Sequence, residues 1–218
     1  MLKHLPNALT LLRLVLAPVI GLLFWLAVAP LPAAMSDKSW AEHTANYMTA
    51  AAILFVIAAL TDFFDGMAAR AFNAHSKLGR LIDPIADKAL VGLPLIVVAI
   101  AVWRTQDPDW LVIAAATAVI VVRDITMTVL RLAAPDGEGA PVSSLAKIKT
   151  AIELLVVGAL LVVGAALTQL NAHSDADTSV LSHPTLVIAV MVWIVLLVLA
   201  ALLSAWTALQ YLTAKTRA

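Results

Sequence analysis

Long apolar stretches alternate with short polar connectors along the whole chain of 218 residues. A membrane-spanning helix needs about 20 consecutive, mostly apolar residues. Six stretches reach that length, at residues 8–29, 47–72, 81–103, 110–133, 145–170 and 185–212. The pattern predicts an all-α integral membrane protein, a bundle of six transmembrane helices. We expect a single membrane-embedded domain over residues 1–218, with a short interfacial segment at residues 1–7.

Composition supports the same class of protein. Hydrophobic residues make up 62% of the chain and charged residues only 13%, whereas a soluble domain carries about 25% charged residues. A soluble domain is therefore excluded. The formal net charge is zero, so nucleic acid is not an expected partner. The absence of cysteine excludes disulfides and thiolate metal sites.

Lysine and arginine are distributed unevenly between the two sets of connectors, which predicts the orientation in the bilayer. The side that holds both termini carries Lys3, Arg70, Lys77, Arg80, Arg131, Lys147, Lys149, Lys215 and Arg217. The opposite side carries Lys38 and Arg104. We therefore expect a multi-pass protein of the inner (cytoplasmic) membrane, with both termini on the cytoplasmic side.

Four aspartates lie in or beside the second and third apolar stretches. Asp62 and Asp65 are three residues apart and Asp83 and Asp87 are four apart, so each pair shares one helix face. The short connector at residues 73–80 makes the two helices antiparallel neighbours. The spacing predicts that all four carboxylates converge in one shallow layer near the cytoplasmic surface.

Such a cluster needs cations. Two carboxylates about 5 Å apart repel by roughly 3 kcal/mol at an effective dielectric constant of 20. Oxygen ligands without cysteine favour Mg²⁺, or Mn²⁺, over zinc or copper, and two divalent ions would neutralise four carboxylates. A carboxylate site with paired metals suits in-line displacement at phosphorus. The alternative is that the aspartates form buried ion pairs with Arg70, Arg80 and Lys88.

These stretches contain the pattern Asp62-x2-Asp65-Gly66-x2-Ala69-Arg70-x8-Gly79-x3-Asp83-x3-Asp87. It resembles the complete signature of the CDP-alcohol phosphotransferases. The resemblance implies a six-helix membrane bundle, usually a homodimer.

The resemblance also implies roles for the residues of the signature. Asp62, Asp65 and Asp83 would hold two Mg²⁺ ions and the CDP pyrophosphate, and Asp87 would contact metal and act as general base. The nucleotide pocket would be shaped by Gly66, Ala69, Arg70 and Gly79. An acceptor hydroxyl would attack the lipid-bearing phosphorus of CDP-diacylglycerol, and CMP would leave.

Four further blocks, at residues 6–13, 122–131, 142–150 and 206–212, resemble the members of that family that use glycerol 3-phosphate. Those members commonly have glutamate where this chain has Asp124. The resemblance implies transfer of the phosphatidyl group to glycerol 3-phosphate, which yields phosphatidylglycerophosphate in phospholipid biosynthesis.

Two groups of residues are expected to bind the substrates. The acceptor phosphate would be bound by cations near the cytoplasmic ends of the fourth and fifth spans, namely Arg123, Arg131, Lys147 and Lys149. The alternative for these cations is simple anchoring on the positive-inside side. The nucleotide pocket would be lined by Asn7, Thr10 and Arg13, whose alternative roles are a helix cap and an interfacial charge. We expect Glu153 to pair with a nearby cation.

Other functions stay open at this point. Within the family, the alternatives are enzymes that make cardiolipin or phosphatidylinositol phosphate. The cationic cluster favours a phosphorylated, water-soluble acceptor over the neutral lipid acceptor of a cardiolipin synthase. The resemblance of the blocks at residues 6–13 and 206–212 favours glycerol 3-phosphate over inositol phosphate. An acid-lined cation transporter is the alternative from another class. It would spread acidic residues through the depth of the membrane, whereas the four aspartates here are predicted in one layer.

Overall fold

The computed structural model describes residues 5–29, 37–72, 77–132, 144–173 and 184–215, and six α-helices account for nearly all of them. They are α1 Leu5–Val28, α2 Asp37–Phe72, α3 Lys77–Arg104, α4 Trp110–Leu132, α5 Ser144–His173 and α6 Pro184–Lys215. Each of the six is long and apolar enough to cross a membrane. The predicted all-α architecture with six spanning helices is confirmed.

Five helices begin before the apolar stretches that predicted them, α2 by the largest margin. Helix α2 begins at Asp37 rather than at residue 47, and its apolar segment is Lys38–Asp62. Asp62 therefore lies at the end of the apolar segment. Residues 37–46 contain neither proline nor glycine, and an acidic residue is favourable at a helix N-terminus. At the start of the chain, residues 5–7 belong to α1, and residues 1–4 lie outside the described residues.

The helices contact one another in a closed ring. Helix α1 packs on α2 and α3, α2 packs on α5, α5 on α6, α6 on α4, and α4 on α3. The sequence predicted that α2 and α3 pack directly on each other. In the described part of the chain, α1 instead lies between these two helices and packs extensively on both.

Small side chains explain how α1 fits between its neighbours. Ala17 of α1 and Ala51 and Ala58 of α2 are fully buried, and small residues let helix backbones approach closely inside a membrane. A single cluster of buried apolar residues draws members from all six helices. Large apolar side chains cover much of the outer surface, as expected where the surrounding solvent is lipid.

A tight turn reverses the chain between α3 and α4. Gln106 has a φ of 54°, and the N–H of Asp107 donates to the carbonyl of Val102 at 3.1 Å. The N–H of Gln106 donates to the carbonyl of Trp103 at 3.2 Å, which completes a Schellman motif at the end of α3. The turn places α4 directly beside α3.

We predict that Gly21→Ala weakens the packing of α1. A Cβ at Gly21 would lie 3.3 Å from Cβ of Leu93, an atom that cannot rotate away because it is bonded to the backbone of α3. Gly92→Ala is the matched control, since its Cβ would meet only Cγ2 of Val121 at 3.7 Å. Alanine favours a helix over glycine by about 1 kcal/mol. The control should keep or raise the melting temperature in detergent, and Gly21→Ala should lower it relative to the control. Equal melting temperatures would contradict the close contact.

Candidate functional site

Arg13 lies where α1, α2 and α3 meet. Its side chain is only 1% exposed, and its guanidinium forms an ion pair with Asp62 of α2. On α3, the same guanidinium lies 2.9 Å from a carboxylate oxygen of Asp87 and 3.8 Å from one of Asp83. The hydroxyl of Thr10 donates a hydrogen bond to Asp83. One cation of α1 therefore gathers three carboxylates from two other helices.

The local sequence explains this convergence. Thr10 and Arg13 are three residues apart on α1, and Asp83 and Asp87 are four apart on α3, so each pair shares one face. A charged side chain in an apolar span costs at least about 2.5–3.5 kcal/mol, which favours any packing that pairs it. Helix α3 continues through Pro84, and transmembrane helices tolerate proline where neighbouring groups compensate for the lost hydrogen bond.

The donor set is suited to a divalent cation. Carboxylate oxygens are the ligands that Mg²⁺ and Mn²⁺ prefer. Asp62, Asp83 and Asp87 together carry one cation, Arg13, so two negative charges remain among these four residues. Among the described residues, no three acidic or histidine side chains already form a cage for an ion. The carboxylates instead surround the guanidinium. Chemistry and charge therefore fit a divalent cation, which would take over part of the role of Arg13.

Several residues of the predicted site lie in the helices, but their side chains are outside the part that the structure describes. Asp65, Gly66, Ala69 and Arg70 continue α2, and Gly79 belongs to the first turn of α3. The same holds for Asn7 in α1, Arg131 in α4 and Lys147 in α5. The roles expected for these residues stay predictions.

A second charged cluster centres on Asp124 of α4, which is buried. One carboxylate oxygen of Asp124 lies 2.9 Å from Nζ of Lys88 of α3. The other lies 2.9 Å from Nη1 of Arg123 and also accepts a hydrogen bond from Lys149 of α5. Three cations from three helices thus converge on one carboxylate.

Two further groups extend this cluster. Lys149 lies 2.9 Å from Glu153, one turn further along α5, so the expected pairing of Glu153 with a nearby cation is confirmed. Nη2 of Arg123 donates to the hydroxyl of Thr207 at 3.0 Å, and that hydroxyl donates to the carbonyl of Ser204 at 2.9 Å. Helix α6 therefore contacts the cluster through Thr207.

The structure thus places the predicted acceptor residues Arg123 and Lys149 in one cluster. Their side chains are 10% and 1% exposed, respectively. Simple anchoring at the membrane surface does not account for positions so deeply buried.

Sequence reasoning missed the pairing that organises each cluster. It treated Arg13 as a residue of the nucleotide pocket or an interfacial charge, and it assigned no role to Asp124. Lys88 was considered only as a partner of the four aspartates, whereas its described ion pair is with Asp124. One signal was available for each: a charge inside an apolar stretch needs a partner at its own depth. Which partner it finds depends on the helix order.

One family model and several known proteins match most of this chain. A family model described as CDP-alcohol phosphatidyltransferase matches residues 3–216. The chain is 36% identical to a protein of Bacillus subtilis (strain 168) over 159 residues, an alignment that covers 72% of this chain and 76% of that protein. It is 35% identical to a protein of Rickettsia typhi over 161 residues, an alignment that covers 73% of this chain and 77% of that protein.

A third relative extends the match to almost the full length. The chain is 31% identical over 214 residues to a protein of Shigella flexneri serotype 5b, which covers 97% of the chain and 94% of that protein. All three relatives carry the name CDP-diacylglycerol–glycerol-3-phosphate 3-phosphatidyltransferase.

We predict that Arg13→Gln makes stability depend on a divalent cation. The change removes the charge that three carboxylates surround, and breaking a buried ion pair costs about 3–5 kcal/mol, less here because the carboxylates are half-exposed. In EDTA, the melting temperature of the variant should fall by several degrees, and Mg²⁺ should restore more of it than Mg²⁺ adds to the wild type. Arg104→Gln is the matched control, since Arg104 is exposed and contacts the ring of Trp25. An unchanged melting temperature in EDTA would refute the role of Arg13.

Proposed function

Because the chain belongs to the CDP-alcohol phosphatidyltransferase family, we propose that it transfers the phosphatidyl group of CDP-diacylglycerol to glycerol 3-phosphate. The products are phosphatidylglycerophosphate and CMP, and the reaction belongs to phospholipid biosynthesis. One observation carries the proposal beyond the family. The carboxylates of Asp62, Asp83 and Asp87, from two helices, meet around one guanidinium.

The family is generally dependent on a divalent metal. We assign two Mg²⁺ ions to Asp62, Asp65, Asp83 and Asp87, with Mn²⁺ as the alternative ion. Bound there, the metal supplies charge stabilisation for the pyrophosphate and for the transition state of phosphoryl transfer. Gly66, Ala69 and Gly79 are the small residues that let the nucleotide approach the backbone of α2 and α3.

The cations of the site bind and orient the nucleotide substrate. Arg70 follows the aspartates on α2, where a planar guanidinium suits the pyrophosphate. Asn7, Thr10 and Arg13 are three residues apart along α1, and the Thr10 hydroxyl and the Arg13 guanidinium already hold the carboxylates of α3. Helix α1 therefore fixes the aspartates in place before the substrate arrives, which is the preorganisation that electrostatic catalysis requires.

Asp87 accepts the proton from the acceptor hydroxyl. The hydroxyl oxygen forms a bond to the phosphorus that carries the diacylglycerol, and the bond from that phosphorus to the CMP oxygen breaks. CMP leaves with the electron pair of that bond. General-base catalysis of this kind contributes about 10²–10⁴-fold to the rate.

The second cluster holds the acceptor. Arg123 and Lys149, together with Arg131 and Lys147, supply positive charge for the phosphate of glycerol 3-phosphate. Asp124 and Glu153 keep the buried cations paired while no phosphate is bound. This arrangement favours a phosphorylated acceptor over the neutral hydroxyl of a lipid such as phosphatidylglycerol.

Residues 1–218 would act as one catalytic domain in the inner membrane. The excess of lysine and arginine on one side supports the cytoplasmic placement of both termini and of the active site. The homodimer implied by the family resemblance stays a prediction.

The assay combines purified protein in detergent with CDP-diacylglycerol, Mg²⁺ and radiolabelled glycerol 3-phosphate. Label should pass into the lipid fraction, CMP should appear, and EDTA should abolish both. Asp87→Asn should lower the rate by about 10²-fold or more because it removes the general base. Asp109→Asn, in the exposed turn before α4, is the matched control, and its rate should stay within about twofold of the wild-type rate.

Parallel reactions with inositol phosphate and with phosphatidylglycerol test the acceptor. If either is consumed while glycerol 3-phosphate stays in the aqueous phase, the acceptor assignment is wrong. If none reacts and no CMP forms, the enzymatic proposal itself is wrong.

A further inference from the structure

Neighbouring residues of α3 belong to the two different clusters. Asp87 contacts Arg13 of α1, and Lys88, the next residue, contacts Asp124 of α4. Successive Cα atoms lie about 3.8 Å apart, and successive side chains of an α-helix point about 100° apart. A single turn of α3 therefore connects the aspartate site with the cationic cluster.

Lys88 is the most accessible of the three cations on Asp124. Its side chain is 23% exposed, compared with 10% for Arg123 and 1% for Lys149. Lys88 contacts one carboxylate oxygen of Asp124, whereas Arg123 and Lys149 share the other. It also lines a cleft of about 410 Å³ between α3 and α4. Lys88 is thus the cation that can change partner while Arg123 and Lys149 stay paired with Asp124.

The cluster also has spare capacity for an anion. Three cations, Lys88, Arg123 and Lys149, face two carboxylates, Asp124 and Glu153, which leaves one positive charge. In addition, the buried Nε–H of Arg123 has no hydrogen-bond partner in the described residues. A buried donor without a partner costs free energy. An entering phosphate would gain both that donor and the excess charge.

We propose that Lys88 is a further acceptor-binding residue. Its ammonium group moves away from Asp124 and, together with Arg123, binds the phosphate of glycerol 3-phosphate. The inference rests on the proposed function. Glycerol 3-phosphate is a three-carbon molecule, so its phosphate and its hydroxyl are only a few bonds apart. A cation directly beside Asp87 on the same helix suits that length, because the phosphate held at Lys88 brings the hydroxyl to the general base.

The test measures both Michaelis constants of Lys88→Gln in the labelled transfer assay. Losing one charge-assisted hydrogen bond should raise the KM for glycerol 3-phosphate by about 10- to 100-fold. The KM for CDP-diacylglycerol should change by less than about threefold, because Asp62, Asp83 and Asp87 remain paired with Arg13. Lys88→Arg, which keeps the charge, should recover part of the loss. Lys38→Gln, an exposed lysine at the other end of α2, is the matched control.

Three outcomes would overturn the inference. One is an unchanged KM for glycerol 3-phosphate, another is an equal rise in both constants, which indicates a structural role, and the third is a selective rise for CDP-diacylglycerol. Each of these requires an active wild type. A wild type that fails to transfer label to glycerol 3-phosphate would instead refute the proposed function.

A second measurement applies to the unaltered protein, in case Lys88→Gln does not fold. Lysine acetylation followed by mass spectrometry reports which amines a ligand covers. Glycerol 3-phosphate should slow the acetylation of Lys88 but not of Lys38, and glycerol should slow neither. Equal acetylation of Lys88 with and without glycerol 3-phosphate would overturn the inference, whatever the wild type does in the transfer assay.

Discussion

A buried arginine needs its charge balanced, and in this protein two neighbouring helices supply the balance. Arg13 is almost completely buried in α1, and the carboxylates of Asp62, Asp83 and Asp87 surround its guanidinium. Inside an apolar bundle, leaving such a charge unpaired is far more costly than at a water-exposed surface. The ion pairs therefore fix the position of α1 between α2 and α3, and they hold the aspartates together before any substrate binds.

The same principle governs the cluster on Asp124. Lys88, Arg123 and Lys149 come from α3, α4 and α5, and one carboxylate pairs with all of them. The two clusters have opposite excess charge, negative around Arg13 and positive around Asp124. Adjacent residues of α3 join them. The negative cluster suits the metal of a metal-bound nucleotide, and the positive cluster suits the phosphate of a phosphorylated alcohol.

The sequence was sufficient to predict the number of helices and the family. Long apolar stretches set the six spans, and the spacing of the aspartates on each helix predicted which faces they share. The start of α2 was predicted ten residues too late, because apolar length defines the span but a helix continues into polar residues until something ends it. The placement of α1 between α2 and α3 was not predicted, since it depends on the close approach of Gly21 to Leu93 of α3 and on the complete burial of Ala17. For the same reason, the partners of Arg13 and Lys88 became clear only from the structure.

The most direct test of this account is a structure determined with Mn²⁺, in which the anomalous signal of the ion gives its position. We expect manganese within coordination distance of Asp62, Asp83 and Asp87, about 2.0–2.3 Å from their oxygens, with the Arg13 guanidinium moved away from at least one of them. Manganese bound elsewhere, with the guanidinium still between all three carboxylates, would contradict the account.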